Sequence, residues 1–218
     1  MHGLDNTGRG KKSSRETVVK TERRGASLML RDYLPAKTVR AAAELFMGDK
    51  GKVADIACGK GPLLKELSPL NNNRIIGLDQ SWQQLADANA AGMSVALGNI
   101  LGMPFKGGVF DMAFCLNTIY NFSSLSDFTP AFREMLRIIN DNGKIIIDIR
   151  NKRNPVIRIK HWLHNRKKLF PIIAYVPEDI TMVMNASGCR LARKKAVGIN
   201  NRYLAWGYIM IFEKGDQS

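Results

Sequence analysis

The feature that most constrains the fold is a glycine turn that lies between a short apolar run and a helical segment. The turn is Asp55-Ile56-Ala57-Cys58-Gly59-Lys60-Gly61. Gly59 and Gly61 allow the backbone to turn sharply and to approach a ligand closely, where a Cβ would intrude. Asp79 closes the next predicted strand about twenty residues later, where a carboxylate can accept hydrogen bonds from both hydroxyls of a ribose. Together the turn and Asp79 predict a nucleoside-binding α/β fold.

The rest of the chain alternates short apolar runs with helical segments, which is typical of parallel strands joined by crossover helices. The predicted strands are 52–57, 74–79, 93–97, 109–115 and 144–149, and the predicted helices are 62–67, 82–91, 126–139 and 178–187. Ser81 is the predicted N-cap of the helix that starts at Trp82. Residues 141–143 form a predicted Asp-Asn-Gly turn. Two β-rich runs, 189–197 and 203–212, predict a terminal hairpin that adds antiparallel strands.

Length and composition favour one domain with a basic leader. The 218 residues are the size of a single α/β domain. Residues 1–24 are polar and basic, and apolar residues do not recur there at a regular spacing. We therefore expect a flexible leader at these residues. Residues 25–218 are expected to form the domain, with a basic insertion at about 150–171. Apolar residues recur at helical spacing over 26–47, and Pro35 is predicted to divide this stretch into two short helices.

Three further properties of the sequence bear on the location of the protein, the state of its cysteines and the charge of its partners. The sequence has no apolar run of about 18 residues and no signal-peptide core, so a cytoplasmic location is expected. Cys58, Cys115 and Cys189 are widely spaced and have no Cys/His cluster nearby, so we expect buried thiols and no metal site. The net charge of +14 marks a basic protein and favours anionic partners: nucleic acid, anionic lipid or a phosphorylated substrate.

Residues 53–61 resemble motif I of the class I S-adenosylmethionine-dependent methyltransferases, with its acidic-x-small-Cys/Gly-Gly-x-Gly pattern. Residues 77–81 resemble the ribose-binding segment that follows in that family. The similarity continues in order through residues 98–100, 110–114 and 139–145. The resemblance implies an enzyme that uses S-adenosylmethionine and releases S-adenosylhomocysteine. It also implies an α/β, Rossmann-like seven-stranded sheet, mostly parallel, with helices on both faces and an antiparallel C-terminal strand.

The resemblance implies roles on the methionine side of the cofactor. Asp55, Gly59 and Gly61, with Ala57 in the same turn, would line the methionine part, and Asp55 would lie near its amino group. Leu116 and Asn117, past the fourth strand, would lie near the sulfonium and the transferable methyl group.

On the nucleoside side, the resemblance implies that Asp79 binds the ribose and that Gln80 lies close to the adenine. Asn99 and the backbone of Ile100 would meet the adenine edge. The family often has Asp at the position of Asn99, and an amide can also hydrogen-bond adenine.

A nicotinamide-dependent dehydrogenase is the main alternative within this fold class, because it also pairs a glycine turn with an acidic residue one strand later. Its full G-x-G-x-x-G pattern is missing here, since Pro62-Leu63-Leu64 follows Gly61 with no third glycine or alanine. The predicted terminal hairpin also favours the methyltransferase.

Candidates for the acceptor side follow the fourth and fifth strands. The run from Asn117 to Tyr120 is similar to the Asn-Pro-Pro-Tyr of amino-group methyltransferases, but both prolines are missing. Asn117 and Tyr120 are candidate catalytic residues, and Asn121, His161 and Tyr175 are candidate substrate contacts. A core aromatic ring is the alternative for Tyr120, and a solvated surface position is the alternative for His161.

The basic insertion contains no acidic residue from Arg150 to Pro177 and interleaves Lys and Arg with apolar residues. This mixture predicts a basic amphipathic helix after Pro155. Three roles stay open. The helix could be a lid whose apolar side packs on the sheet, a lid that faces an anionic membrane peripherally, or a nucleic-acid contact.

The sequence therefore predicts a methyltransferase that acts on a small-molecule or amphipathic acceptor, such as a lipid, quinone or glycolipid precursor. RNA or another macromolecule bound by the basic patch is the alternative acceptor. A non-catalytic protein that binds S-adenosylmethionine and serves as a partner subunit is the alternative of another class.

Overall fold

The computed structural model describes residues 34–46, 51–70, 74–166 and 172–215. The chain divides into two compact units, residues 1–36 and 37–218, and all elements given below belong to the second unit except the start of the first helix. The predicted leader at 1–24 and the first of the two helices predicted over 26–47 lie outside the described residues. The predicted boundary between leader and domain therefore stays a prediction.

The described residues form seven strands and six α-helices. In chain order they are α1 (34–46), β1 (Val53–Ile56), α2 (Pro62–Leu67), β2 (Ile75–Asp79), α3 (Trp82–Ala90), β3 (Val95–Leu97), β4 (Phe110–Cys115), α4 (Leu125–Ile138), β5 (Ile139–Arg150), α5 (Pro155–Asn165), α6 (Pro177–Ala186), β6 (Cys189–Gly198) and β7 (Ala205–Lys214). Short 3-10 segments cover Ser68–Leu70 and Ile119–Asn121. The predicted strands, helices and hairpin are confirmed to within a few residues at their ends.

All seven strands lie in one sheet with the order β3-β2-β1-β4-β5-β7-β6. Strands β1 to β5 are parallel, β7 pairs antiparallel with β5, and β6 pairs antiparallel with β7. Only β7 therefore runs against the others, as the sequence predicts. The strand order reverses between β1 and β4, and ligands of open α/β sheets bind at the carboxyl ends of the strands beside such a reversal. We call this the ligand edge of the sheet.

Helices cover both faces of the sheet. Helix α4 buries the residues that recur at helical spacing on one stripe, namely Phe128, Ala131, Phe132, Met135 and Ile138. They pack in one core cluster with α6 and with the same-face residues of β5 and β7. On the other face, Phe46 of α1 meets Phe114 edge-to-face with ring centroids 6.4 Å apart. The packing on the two faces of the sheet stabilises the Rossmann-like architecture. The ligand edge remains available for binding and chemistry.

One turn lies differently from its prediction. Strand β5 starts at Ile139, and the predicted turn over 141–143 is an irregularity inside it. Ile139 pairs with Phe110 and Lys144 pairs with Met112. Residues 140–143 of β5 therefore bulge out of the regular pairing with β4. A Cβ on Gly143 would lie 2.7 Å from the Cβ of Ile139, which shows how tightly this bulge folds back.

Two other expectations concern single features. Cys58, Cys115 and Cys189 are all buried free thiols, as predicted. Helix α5 forms where the basic amphipathic helix is predicted, and the Asn154 side chain caps it by accepting hydrogen bonds from the N–H groups of Val156 and Ile157. Within the described parts of the chain, no helix is long and apolar enough to cross a bilayer.

Candidate active site

The glycine turn joins β1 to α2 at the ligand edge. Ala57, Gly59 and Gly61 have φ angles of 58°, 55° and 74°, so the chain passes through the left-handed region three times within five residues. The N–H of Cys58 donates to the carbonyl of Leu78 at 2.9 Å, which holds the turn against the end of β2. The turn is thus a close-fitting loop beside the point where the strand order reverses.

Asp79 lies against this turn. Its Oδ2 accepts a hydrogen bond from the N–H of Gly59 at 2.8 Å, and its Oδ1 accepts one from the N–H of Ser81 at 2.9 Å. Each carboxylate oxygen keeps a free lone pair for a further donor. Ser81 caps α3 as predicted, and Gln80 beside it is exposed. The structure therefore brings together the glycine turn and the carboxylate that the sequence predicts as its ribose ligand.

A comparison of two glycines tests how closely the turn is packed. Gly61 and Gly92 have φ angles of 74° and 75°, but an added Cβ would lie 2.8 Å from the Met93 Sδ at Gly61 and would meet nothing within 4 Å at Gly92. Both Gly→Ala substitutions carry the left-handed cost of about 1–2 kcal/mol. We expect Gly61→Ala to lower the free energy of unfolding by about 1–3 kcal/mol more than Gly92→Ala. Urea unfolding of the two variants measures this, and equal losses would contradict the packing of the turn.

Asp55 is buried in β1, only 3 % exposed, just before the turn. Burial raises the pKa of its carboxyl group from 3.8 to about 8, and the negative charge of Asp79 adds to that effect. The carboxyl group of Asp55 is therefore mostly neutral at pH 7 in the ligand-free protein. A cationic amino group bound nearby would favour its ionised form, which is the role that the resemblance implies for Asp55.

The raised pKa of Asp55 makes stability depend on pH. Because its folded-state pKa lies above its unfolded value of 3.8, the stability linked to this proton is complete below that value and is lost as the pH rises to about 8. We expect wild type to lose unfolding free energy relative to Asp55→Asn over this window, by up to about 1.4 kcal/mol per pH unit. Urea unfolding at several pH values measures the difference, with Glu66→Gln as a control at an exposed carboxyl group. Parallel pH profiles for wild type and Asp55→Asn would contradict the raised pKa.

The predicted adenine side follows β3. Asn99 is exposed, and its Oδ1 accepts a hydrogen bond from the N–H of Leu101 at 2.9 Å, so its side chain closes a tight loop. The neighbouring Ile100 is partly buried against the core. The N–H of Gly98 donates to the carbonyl of Asp79 at 3.0 Å, which ties this loop to the end of β2. Asn99 and Ile100 therefore lie next along the ligand edge from Asp79.

The predicted acceptor side is organised by a buried polar network at the carboxyl ends of β4 and β5. Arg150 Nη1 lies 3.3 Å from Asp148 Oδ2, and both side chains are almost fully buried. Asp148 Oδ1 accepts a hydrogen bond from the N–H of Asn117 at 2.5 Å, and Asn117 Oδ1 accepts one from Arg150 Nη2 at 2.6 Å. Asn117 is held in the left-handed region with φ 56°. Leu116, the residue before it, is buried.

This network is absent from the sequence-based predictions. Neither Asp148 nor Thr38 is a predicted site residue, and the sequence pattern places Arg150 among the basic residues of the insertion. The structure corrects this, because Arg150 is the last residue of β5 and also contacts Thr38 Oγ1 at 3.4 Å. Burial raises the pKa of Asp148, while the charge of Arg150 opposes that shift. An Asp-x-Arg pair ending an otherwise apolar strand is the signal that could have revealed it, since residues two apart share one face of a strand.

Two other predicted acceptor residues lie near the network. The guanidinium carbon of Arg150 lies 4.8 Å from the ring centroid of Tyr120, and burial raises the pKa of that phenol. Asn121 is exposed, and its Nδ2 donates to the carbonyl of Asn117 at 3.4 Å. The structure therefore brings Asn117 and Tyr120 into contact with Arg150, and Asn121 into contact with Asn117.

His161 and Tyr175 lie in different surroundings. Burial, followed by the positive charge of Arg150, lowers the pKa of His161 to about 4. Its Nδ1 is buried, with no hydrogen-bond partner among the described residues. The imidazole of His161 is therefore neutral at pH 7. Tyr175 instead belongs to the hydrophobic core, where it is 7 % exposed, and this position gives no support to its prediction as a substrate contact.

Comparisons with known proteins agree with this geometry. Residues 54–147 match a family model described as a methyltransferase domain. The chain is 26% identical over 130 residues to the demethylmenaquinone methyltransferase of Roseiflexus castenholzii, covering 57% of this chain and 53% of that protein. It is 31% identical over 110 residues to the tRNA U34 carboxymethyltransferase of Campylobacter hominis, covering 47% and 38%. The chain thus spans about half the length of these relatives or less.

A solved structure shows the same fold. The magnesium protoporphyrin IX methyltransferase of Synechocystis, with S-adenosylhomocysteine bound, superposes with a TM-score of 0.67 at 14% identity over 83% of each chain. The matched family model covers β1 to β5, the part that holds the glycine turn, Asp79, Asn99 and Asn117. Residues 54–147 thus match a methyltransferase domain, and the chain has the fold of that solved methyltransferase.

Proposed function

We propose that this chain transfers a methyl group from S-adenosylmethionine to a small-molecule or amphipathic acceptor bound beside Asn117 and His161. The observation that carries the proposal is the direct hydrogen bond between the glycine turn and Asp79. It supports the proposal because the Asp79 carboxylate, which can accept hydrogen bonds from ribose hydroxyls, lies beside a turn that a ligand can approach closely. Asp55 adds a buried carboxyl group suited to the cofactor's amino group. These donors and acceptors fit S-adenosylmethionine.

In this proposal, the side chains of the buried polar network position the methyl acceptor. Bound S-adenosylmethionine supplies an activated methyl group on a sulfonium, so holding the acceptor in line with it provides most of the rate effect. Asn117 is locked by hydrogen bonds to Asp148 and Arg150 and offers a fixed side chain at the end of β4. The buried Nδ1 of His161 has no hydrogen-bond partner among the described residues, and we infer that it accepts a hydrogen bond from an acceptor hydroxyl or amine. Its lowered pKa suits it to orient that group rather than to remove its proton fully.

The relatives support two acceptor classes. The Roseiflexus protein is by its name an enzyme of a quinone, which is an amphipathic acceptor, and the Campylobacter protein acts on tRNA. The net charge of +14 favours the second class, and RNA is therefore the second candidate acceptor. We favour the amphipathic acceptor because the helix that follows β5 exposes apolar side chains beside the ligand edge. A partner protein that binds the cofactor without catalysis is the alternative of another class.

Labelled methyl transfer to fractionated cell extract tests the proposal. Wild-type protein with methyl-labelled S-adenosylmethionine is expected to label the organic-soluble fraction, and Asp79→Ala is expected to label none. Label that enters RNA instead would replace the proposed acceptor with the RNA alternative. Retained binding of S-adenosylhomocysteine without label in any fraction would favour the non-catalytic partner.

A further inference from the structure

Helix α5 exposes its apolar side chains. Val156, Ile159 and Leu163 are spaced three and four residues apart and therefore lie on one face of the helix, with Trp162 next to it. Each of these four side chains is 51–60% exposed. These exposed side chains give no support to the interpretation of the insertion as a lid whose apolar side packs on the sheet. The residues that face the protein are instead Ile157, which is 1% exposed, and His161.

The turn between β6 and β7 adds exposed apolar residues at the same edge. Because Arg150 pairs with Gly207 in antiparallel strands, the start of β7 lies at the carboxyl end of β5. The buried side chains of Asn151 and Asn154 donate hydrogen bonds to the carbonyls of Arg202 and Leu204 at 2.9 and 3.1 Å. These bonds fix the turn beside the start of α5. Tyr203 and Leu204 in this turn are 53% and 49% exposed. We call Val156, Ile159, Trp162, Leu163, Tyr203 and Leu204 the apolar rim.

Positive charge borders the apolar rim. The Arg166 guanidinium lies 4.7 Å from the Trp162 ring and that of Arg202 lies 4.9 Å from the Tyr203 ring. Arg158 is exposed on α5, and residues 150–177 and 198–204 contain no acidic residue. Aromatic rings with guanidinium neighbours beside exposed aliphatic side chains are typical of segments that lie in the interface of an anionic bilayer. Phosphate contacts to RNA need donors but no aliphatic surface.

We propose that the apolar rim docks this chain peripherally on an anionic membrane surface. The rim borders the ligand edge, because α5 starts at Pro155 shortly after β5 ends at Arg150, and its N-cap Asn154 is hydrogen-bonded to the turn at the carboxyl end of β5. Docking would therefore bring the ligand edge of the sheet to the bilayer, where an amphipathic acceptor is dissolved. The docking itself needs only the rim and its charges, whereas the acceptor's origin in the membrane rests on the proposed function.

Vesicle flotation of the full chain tests the docking. The probes are phosphatidylcholine vesicles with and without phosphatidylglycerol, and wild type is expected to float only with the anionic ones. Ile159→Gln with Leu163→Gln is expected to lower the partition coefficient by at least about tenfold, because both side chains would enter the interface. Met182→Gln, which replaces a 70%-exposed methionine on α6, is the matched control and is expected to leave it unchanged. Equal flotation of the two variants would overturn the proposed surface.

The charges are tested separately. Arg166→Glu is expected to weaken anionic-vesicle binding by at least about fivefold, while Arg133→Glu at an exposed position of α4 is the control. No flotation of wild type, or equal flotation with neutral vesicles, would overturn the docking on anionic membrane. Salt-sensitive RNA binding without flotation would assign the basic surface to RNA instead.

Binding of S-adenosylhomocysteine separates this inference from the proposed function. The rim variants are expected to keep wild-type affinity for it in calorimetry, because the rim lies outside the cofactor's predicted contacts. Flotation by a protein that fails to bind S-adenosylhomocysteine would leave the docking standing and overturn the proposed function. Normal binding of S-adenosylhomocysteine without flotation would overturn the docking and leave the proposed function standing.

Discussion

Asp79→Ala is expected to weaken the binding of S-adenosylhomocysteine at least about a hundredfold, which corresponds to about 2.7 kcal/mol. The Asp79 carboxylate is fixed by the N–H groups of Gly59 and Ser81 and keeps one acceptor position on each oxygen. Two hydrogen bonds from ribose hydroxyls to a charged acceptor contribute about 1.5–3 kcal/mol each. The substitution removes both bonds and also releases the Gly59 end of the turn. Titration calorimetry at fixed pH measures the change.

A matched control separates loss of the ligand contact from loss of charge. Asp141→Ala removes a fully exposed carboxylate that pairs only loosely with Lys214 at 3.4 Å, in the irregular part of β5. Its affinity for S-adenosylhomocysteine is expected to equal that of wild type. An Asp79→Ala protein whose affinity lies within about threefold of wild type would remove Asp79 from the cofactor site.

Arg150→Met is expected to lower the free energy of unfolding by about 3–5 kcal/mol, because it leaves the Asp148 carboxylate buried without its counter-charge. It also removes the hydrogen bond that Asn117 Oδ1 accepts. Arg190→Met is the control, since Arg190 forms a largely exposed ion pair with Glu213 at 3.4 Å. That substitution is expected to cost less than about 1 kcal/mol. Urea unfolding at pH 7 measures both losses.

The double variant Asp148→Asn with Arg150→Met identifies the cause of that loss. Removing both charges is expected to recover most of the stability, because a buried pair replaced as a whole is tolerated far better than a broken one. If the double variant is as unstable as the sum of the single ones, the ion pair is not what holds this part of the site together.

The part of the site that is predicted to bind S-adenosylmethionine could be predicted from the sequence, because the residues that indicate it lie close together along the chain. A glycine turn between a strand and a helix, with an acidic residue at the end of the next strand, is readable from the order and spacing of residue types. Asp55, Gly59, Gly61 and Asp79 therefore lie where the sequence places them. The parallel sheet follows from the same alternation of apolar runs and helical segments.

The part of the site that is predicted to hold the methyl acceptor depends on contacts between residues far apart in the sequence. The spacing of residue types does not reveal such contacts. Arg150 could be read as one more basic residue of the insertion, and only the strand pairing shows that it ends β5 beside Asn117 and Thr38. The orientation of α5 is hidden for a similar reason. An amphipathic pattern shows that a helix has two faces but does not say which one meets the sheet. The role of Tyr175 stays a prediction, because aromatic residues suit both a core and the edge of a pocket.

A crystal structure of the chain with S-adenosylhomocysteine bound would show directly whether the ligand edge is the cofactor site. The ribose hydroxyls are expected within hydrogen-bond distance of the two Asp79 oxygens, and the adenine is expected beside Asn99 and Ile100. The amino group of the ligand is expected near Asp55, and its sulfur is expected to face Asn117. A ligand bound elsewhere, or bound at this edge with its ribose away from Asp79, would contradict this assignment.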